Sequence, residues 1–194
     1  MVKSMSAFLC GFPWRPLRRF GNDRRAVSAV EFALILPLML TIYLGGNELG
    51  HGFTIARKVT HVTSSLGDLV AQCKWISNTD MTNILSAAAS VVAPYPTSLL
   101  KIKVSGITID ANTVAKVTWS DGYQDTALTV NSIVTTTLPT ALQIASSFLV
   151  LAEVHYAYTP YIGYTLTGTF DLHDKFYFAP RNSAAITRTT STNC

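Results

Sequence analysis

Arg24-Arg25-Ala26-Val27-Ser28-Ala29-Val30-Glu31-Phe32-Ala33-Leu34-Ile35-Leu36-Pro37-Leu38-Met39-Leu40 sets two arginines, several small residues and one carboxylate at the head of an apolar run. Between Ala26 and Gly46 the only charged residue is Glu31. A helix of about 20 residues rising 1.5 Å each spans roughly 30 Å, the thickness of a hydrocarbon layer. The stretch therefore reads as a transmembrane helix. Pro37 removes one backbone hydrogen bond, which membrane helices absorb with a kink or a local adjustment. A carboxylate at the bilayer centre costs on the order of a few kcal/mol, so one placed inside a span usually has a function. The plainer alternative is a Glu31 that rests at headgroup level and snorkels to water.

Charge is distributed unevenly around this run. Up to Arg25 the chain carries Lys3, Arg15, Arg18, Arg19, Arg24 and Arg25 against Asp23, whereas the remainder carries nine basic and ten acidic residues. A basic flank followed by a nearly neutral body fits the positive-inside rule, with residues 1–26 as a basic cytoplasmic leader and the rest exported. It argues against a nucleic-acid partner, which needs a basic face on the folded part. A cleaved secretion signal is the competing reading. The long arginine-rich leader, the carboxylate within the apolar segment and the lack of an A-x-A site count against it.

The chain has 194 residues, of which 48% are hydrophobic and 13% charged, enough for one ordinary domain beside a membrane segment. Cys10 falls on the reducing side and Cys73 and Cys194 on the exported side, where thiols can oxidise. A Cys73–Cys194 bridge is expected, the alternative being two unrelated buried thiols.

Past the span, Leu49, Phe53, Ala56, Val59, Val62 or Thr63, Leu66, Leu69 or Val70, and Cys73 recur at helical steps, so the helix is expected to continue to about Lys74. Gly45, Gly46, Gly50, Gly52 and Gly67 are its weak places, each about 0.5–1 kcal/mol less favourable than Ala. Gly46 and Gly50 also have the small-xxx-small spacing that lets two helices approach, or that simply marks a bend at the membrane exit. Ser77-Asn78-Thr79-Asp80 offers N-cap residues for a second helix over Met81–Ala93, stopped by Pro94-Tyr95-Pro96.

The period then changes to two. Leu100–Asp110 and Val114–Ser120 form an expected hairpin around Ala111-Asn112-Thr113, and Gly122–Thr137 has no firm period. Leu138-Pro139 offers a short helical turn. Phe148–Tyr158 is the clearest strand, with Phe148, Val150, Ala152, Val154, Tyr156 and Tyr158 on one face and Glu153 and His155 on the other. Gly168–Ala179 reads as the last strand. Helices first and antiparallel strands after predict an α+β head packed on the outer half of the long helix. The division is a leader at 1–26, a transmembrane helix at 27–46, a helical stalk at 47–75 and an α+β exported head at 76–194.

Catalytic signals are weak. His51 and His61 stand about 80° apart around one helix, and no H-E-x-x-H, C-x-x-C, G-x-S-x-G or phosphate-binding glycine loop occurs. Asp171, His173 and Asp174 form a local acid and histidine cluster that reads as a solvated strand face in preference to a metal or acid-base site. Asp121-Gly122-Tyr123-Gln124-Asp125 lacks the spaced ligands of a calcium loop and reads as a turn. No cofactor and no metal is expected. Tyr156, Tyr158, Tyr161 and Tyr164 cluster around Pro160 and Gly163, either as an exposed contact ridge or as core packing against the long helix.

The arginine-rich leader, Ala29-Val30-Glu31-Phe32-Ala33-Leu34, the Leu-Pro-Leu segment and Glu48 near a glycine resemble the TadE-like minor pseudopilins of tight-adherence (Tad) pilus systems. The Arg57-Lys58-Val59-Thr60-His61 region, Glu153-Val154-His155-Tyr156 and Ala179-Pro180-Arg181 are looser matches. The resemblance implies a precursor cut by an inner-membrane prepilin peptidase between Ala26 and Val27, which makes Glu31 the fifth mature residue. Most prepilins carry glycine before the cut, where this chain has Ala26. It further implies a non-enzymatic, pilin-like subunit whose Glu31 and Phe32 serve assembly, with other pilins and minor pilins and the pilus assembly platform as partners. The expected location is the bacterial inner membrane, with the C-terminal part in the periplasm and incorporation into an extracellular pilus. An uncleaved, single-pass periplasmic scaffold is the alternative.

Overall fold

The computed structural model describes residues 24–160, 168–190 and 194, and the side chains of these from Val27 onward. The leader up to residue 23, Tyr161 and Tyr164 lie outside the described residues. Helix α1 runs Arg24–Gln72 as one element, two residues short of the expected end at Lys74. Its Leu-, Ala- and Met-rich sequence favours helix, and Pro37 does not interrupt it. Thr41 and Thr54 donate their hydroxyls to the carbonyls of Pro37 and Gly50 one turn back, so neither competes with the helix for a different conformation. The chain divides after Gly46 into two compact units.

In the second unit, Asn47–Cys194, the rest of α1 is followed by β1 (Trp75–Ile76) and α2 (Asn78–Ser90). Then come β2 (Leu100–Ile109), β3 (Ala115–Tyr123), β4 (Ser147–Tyr158), β5 (Phe170–Phe178) and β6 (Thr187–Arg188). The four long strands form one antiparallel sheet in the order β3-β2-β4-β5, while β1 and β6 pair in parallel. This is the expected α+β arrangement. Helix α2 starts three residues before the expected Met81, because Ser77 and Asp80 form a reciprocal capping box that satisfies the first free N–H groups. At its other end Lys58 of α1 donates to the carbonyls of Val91 at 3.2 Å and Ala93 at 2.6 Å, finishing the helix from outside.

Period-two alternation assigns the two faces of the sheet. Leu100, Ile102 and Val104 of β2 and Val150, Ala152, Val154, Tyr156 and Tyr158 of β4 pack with Ile55, Val59, Val62, Leu66 and Val70 of α1 and with Met81 and Leu85 of α2. Tyr156 and Tyr158 are therefore core residues and no exposed ridge. The opposite face carries a second core of Ile107, Ile109, Ala115, Val117, Leu149 and Leu151, covered by Val134 and Leu138 from the irregular connection between β3 and β4. That connection includes a 3₁₀ turn at Thr140–Leu142, just past the expected Leu138-Pro139.

The alternation expected across Val114–Ser120 fails in the middle of β3. Gly106 of β2 pairs with Trp119, but the next residue, Ile107, pairs with Val117, so Thr118 is an extra residue on β3. This bulge lets Trp119 join the core under the helices while Val117 joins the opposite one. Gly106 allows it: a Cβ there would overlap the Trp119 indole and the Phe148 ring. The apolar stripe on α1 is also corrected. Leu49 and Phe53, expected inside, are 50% and 69% exposed, and Ile55 is buried instead.

The segment after β5 closes the end of α1. The backbone N–H of Arg181 and the amide of Asn182 donate to the carbonyls of Ala71 (2.9 Å) and Gln72 (2.7 Å), two acceptors that a helix end leaves without internal partners. Arg181 also pairs with Asp68. Cys73 and Cys194 are joined by a disulfide with their Cα atoms 5.0 Å apart. Trp119 donates its indole N–H to the Ile186 carbonyl at 2.8 Å. Arg188 reaches Asn78 at 2.7 Å and Asp121 at 3.0 Å. Burial pushes the Asp121 carboxyl above the usual carboxylate range, and the Arg188 charge offsets only part of that.

Candidate functional site

From Val27 to Tyr43 every side chain of α1 is exposed, and these are Val, Ala, Leu, Ile, Phe, Met and Tyr with few exceptions. Phe32 is 60% exposed and Leu34 75%. Water alone is a poor medium for a surface of this composition, since exposed apolar patches of such extent mark membrane or protein contacts. Among the described residues α1 is the one helix long and apolar enough to cross a membrane. At about 1.5 Å per residue its first 25 to 30 Å of apolar surface would lie in lipid or against other helices.

Glu31 is exposed within this surface, on the turn that follows Val27. The Ala26–Val27 bond lies in the first turn of α1, where the backbone N–H groups have no intrahelical acceptor. Residues 27 and 31 are four apart and so share a face about 6 Å apart along the axis. Gly46 is exposed with open space where a Cβ would stand, and further along α1 Gly50 is the same. Each leaves a shallow place on the helix surface.

Within the second unit, Glu48 is 3% exposed, and its backbone carbonyl accepts from the Tyr158 hydroxyl at 3.3 Å. Sequence reading noted Glu48 near a glycine but gave no sign of its burial, which depends on β4 reaching back to α1 at Tyr158. In the sequence Lys58 is only part of a helical region, and its action as a cap on α2 arises once the two helices are packed.

The cluster at Asp171 is rearranged by the sheet. Asp174 turns to the helix side, where the Thr60 hydroxyl donates to it at 2.7 Å, and it leaves the group. His155 of β4, directly opposite His173 in register, takes its place. Nearby, Lys103 pairs with Asp125 at 3.1 Å. Burial opposes ionisation of Asp125, but the Lys103 hydrogen bond, the Thr126 N–H and the charges of Lys103 and Lys101 outweigh it and hold the carboxyl below its ordinary value.

The described residues thus combine one apolar helix of membrane-spanning length with a disulfide-bonded α+β head. Among known families, residues 26–65 match the family model of the TadE-like protein, which supports the resemblance to TadE-like proteins over that segment. The matched segment holds Ala26, Val27, Glu31, Phe32, Gly46 and Gly50. No curated protein and no solved structure matches the chain.

Proposed function

We propose that the protein is a minor pilin-like subunit, trimmed by prepilin peptidase between Ala26 and Val27, that takes part in initiating or capping an adhesive Tad pilus. The exposed apolar surface of α1 with Glu31 near its head carries this reading. Trimming would create a positively charged amine at Val27, since an α-amino group titrates near pH 7.7–8.0. In lipid, unpaired charges are costly, so the Glu31 of one subunit gains by meeting the Val27 amine of its neighbour. That pairing would set the axial register, with Phe32 beside it and Gly46 and Gly50 as places of close helix approach. The first turn of α1 must open for the peptidase, and the start of a helix is the part that opens at least cost.

On this account residues 1–26 are the basic leader, 27–46 the membrane helix, 47–75 the stalk and 76–194 the head, lying in the periplasm until assembly. The role is structural and not catalytic, with other pilins, minor pilins and the assembly platform as partners. Ala26 in place of the glycine usual before the cut favours a second reading, an uncleaved single-pass scaffold in the envelope. Replacing Glu31 by Ala separates the two. Under the first reading the variant is inserted and folded but pili are reduced by an order of magnitude or more, counted by microscopy. Pili at normal numbers would contradict the pairing.

A further inference from the structure

We propose that His155, Asp171 and His173 form a binding site for a divalent transition-metal ion of the zinc, copper(II) or nickel type. The three lie on the face of the sheet turned away from α1. His155 and His173 are direct cross-strand partners on β4 and β5. Their rings stack with centroids 5.3 Å apart and planes 17° from parallel. Asp171 stands two residues before His173 on the same face, and its carboxylate oxygen lies 2.9 Å from Nδ1 of His155 and 3.8 Å from Nδ1 of His173. One donor atom from each residue falls within 4.8 Å of the other two.

A tetrahedral ion with bonds of about 2.0–2.2 Å holds its donors roughly 3.3 Å apart. The present spacing therefore needs about an ångström of side-chain rotation. Two of the three side chains are exposed and the third half-buried, so rotation meets little packing. The backbone positions are fixed by the β4–β5 ladder, which runs in unbroken register from Val150–Phe178 to Tyr158–Phe170. Two imidazoles and one carboxylate select borderline ions over magnesium or calcium, which require more oxygen donors. Three protein ligands leave a coordination position open. His155 and Asp171 also line a hollow of about 430 Å³, together with Ala157 and Leu99. Lys101 and Lys103 border the same hollow, and Asp125, ion-paired with Lys103 at 3.1 Å, offsets part of their charge. An opposing cation would otherwise weaken metal binding.

The test uses the full chain in detergent micelles, titrated with zinc chloride by calorimetry and with copper(II) by electron paramagnetic resonance. The expected result is one zinc ion per chain and a copper spectrum with hyperfine splitting from two imidazole nitrogens. His155→Gln and His173→Gln should each weaken zinc binding about tenfold or more, and Asp171→Asn should weaken it too, as losses at metal sites commonly do. His51→Gln and His61→Gln should leave it unchanged. Metal-free thermal unfolding of each variant checks folding, and Asp171→Asn, which keeps its shape, stands in for any histidine variant that fails. No zinc bound at millimolar concentration, or binding that survives loss of both His155 and His173, overturns the proposal.

Discussion

Gly67 shows how one position can reverse a propensity argument. As a glycine inside a helix it should cost about 0.5–1 kcal/mol relative to alanine. In the structure it is buried, and a Cβ there would overlap the ring of Phe178. Gly67→Ala is therefore expected to destabilise the head by about 1–3 kcal/mol, as overpacking does. Gly50, with open space beside it, behaves oppositely, and Gly50→Ala should be neutral or stabilising by up to about 1 kcal/mol. Denaturant unfolding of both variants reads the difference, and equal shifts would contradict the contact. Sequence periodicity could not distinguish the two glycines, because the distinction rests on a strand more than a hundred residues away. Glu31 and the Ala26-Val27 pair, in contrast, stand out locally against an apolar background.

Elements whose faces have one uniform environment were legible. The helical run through α1 and the alternation of β2 and β4 follow from period alone, since each apolar strand face meets one core. The bulge at Thr118 was not legible, because one inserted residue leaves no compositional mark and yet exchanges the faces of half a strand. Nor was the segment that seals the end of α1, whose contribution is made through backbone hydrogen bonds and single side chains such as Asn182 and Arg188. The cross-strand meeting of His155 and His173 was hidden for a related reason, as only the register of β4 on β5 brings them together. The Cys73–Cys194 disulfide closes a sequence separation of 121 residues. Cys194→Ser is expected to lower stability by about 2–5 kcal/mol, with the reduced wild type matching the variant. Indifference of the wild type to reductant would contradict this.

For the whole molecule, the division after Gly46 separates two kinds of surface. The second unit buries most of its apolar side chains in two cores of its own, whereas the preceding part of α1 exposes nearly all of them. A chain built this way leaves the N-terminal helix to be covered by something else. On the proposed function lipid covers it before assembly and the helices of neighbouring subunits cover it afterwards. Only a subunit whose leader has been removed can offer a charged amine next to Glu31, so trimming decides between the pilus subunit and the anchored scaffold. The measurement that tests this most directly is N-terminal sequencing, with intact mass, of the protein purified from membranes of cells that hold an active prepilin peptidase. The account expects Val27 as the first residue. A chain that still begins with its basic leader, or one cut after Gly46, would contradict it.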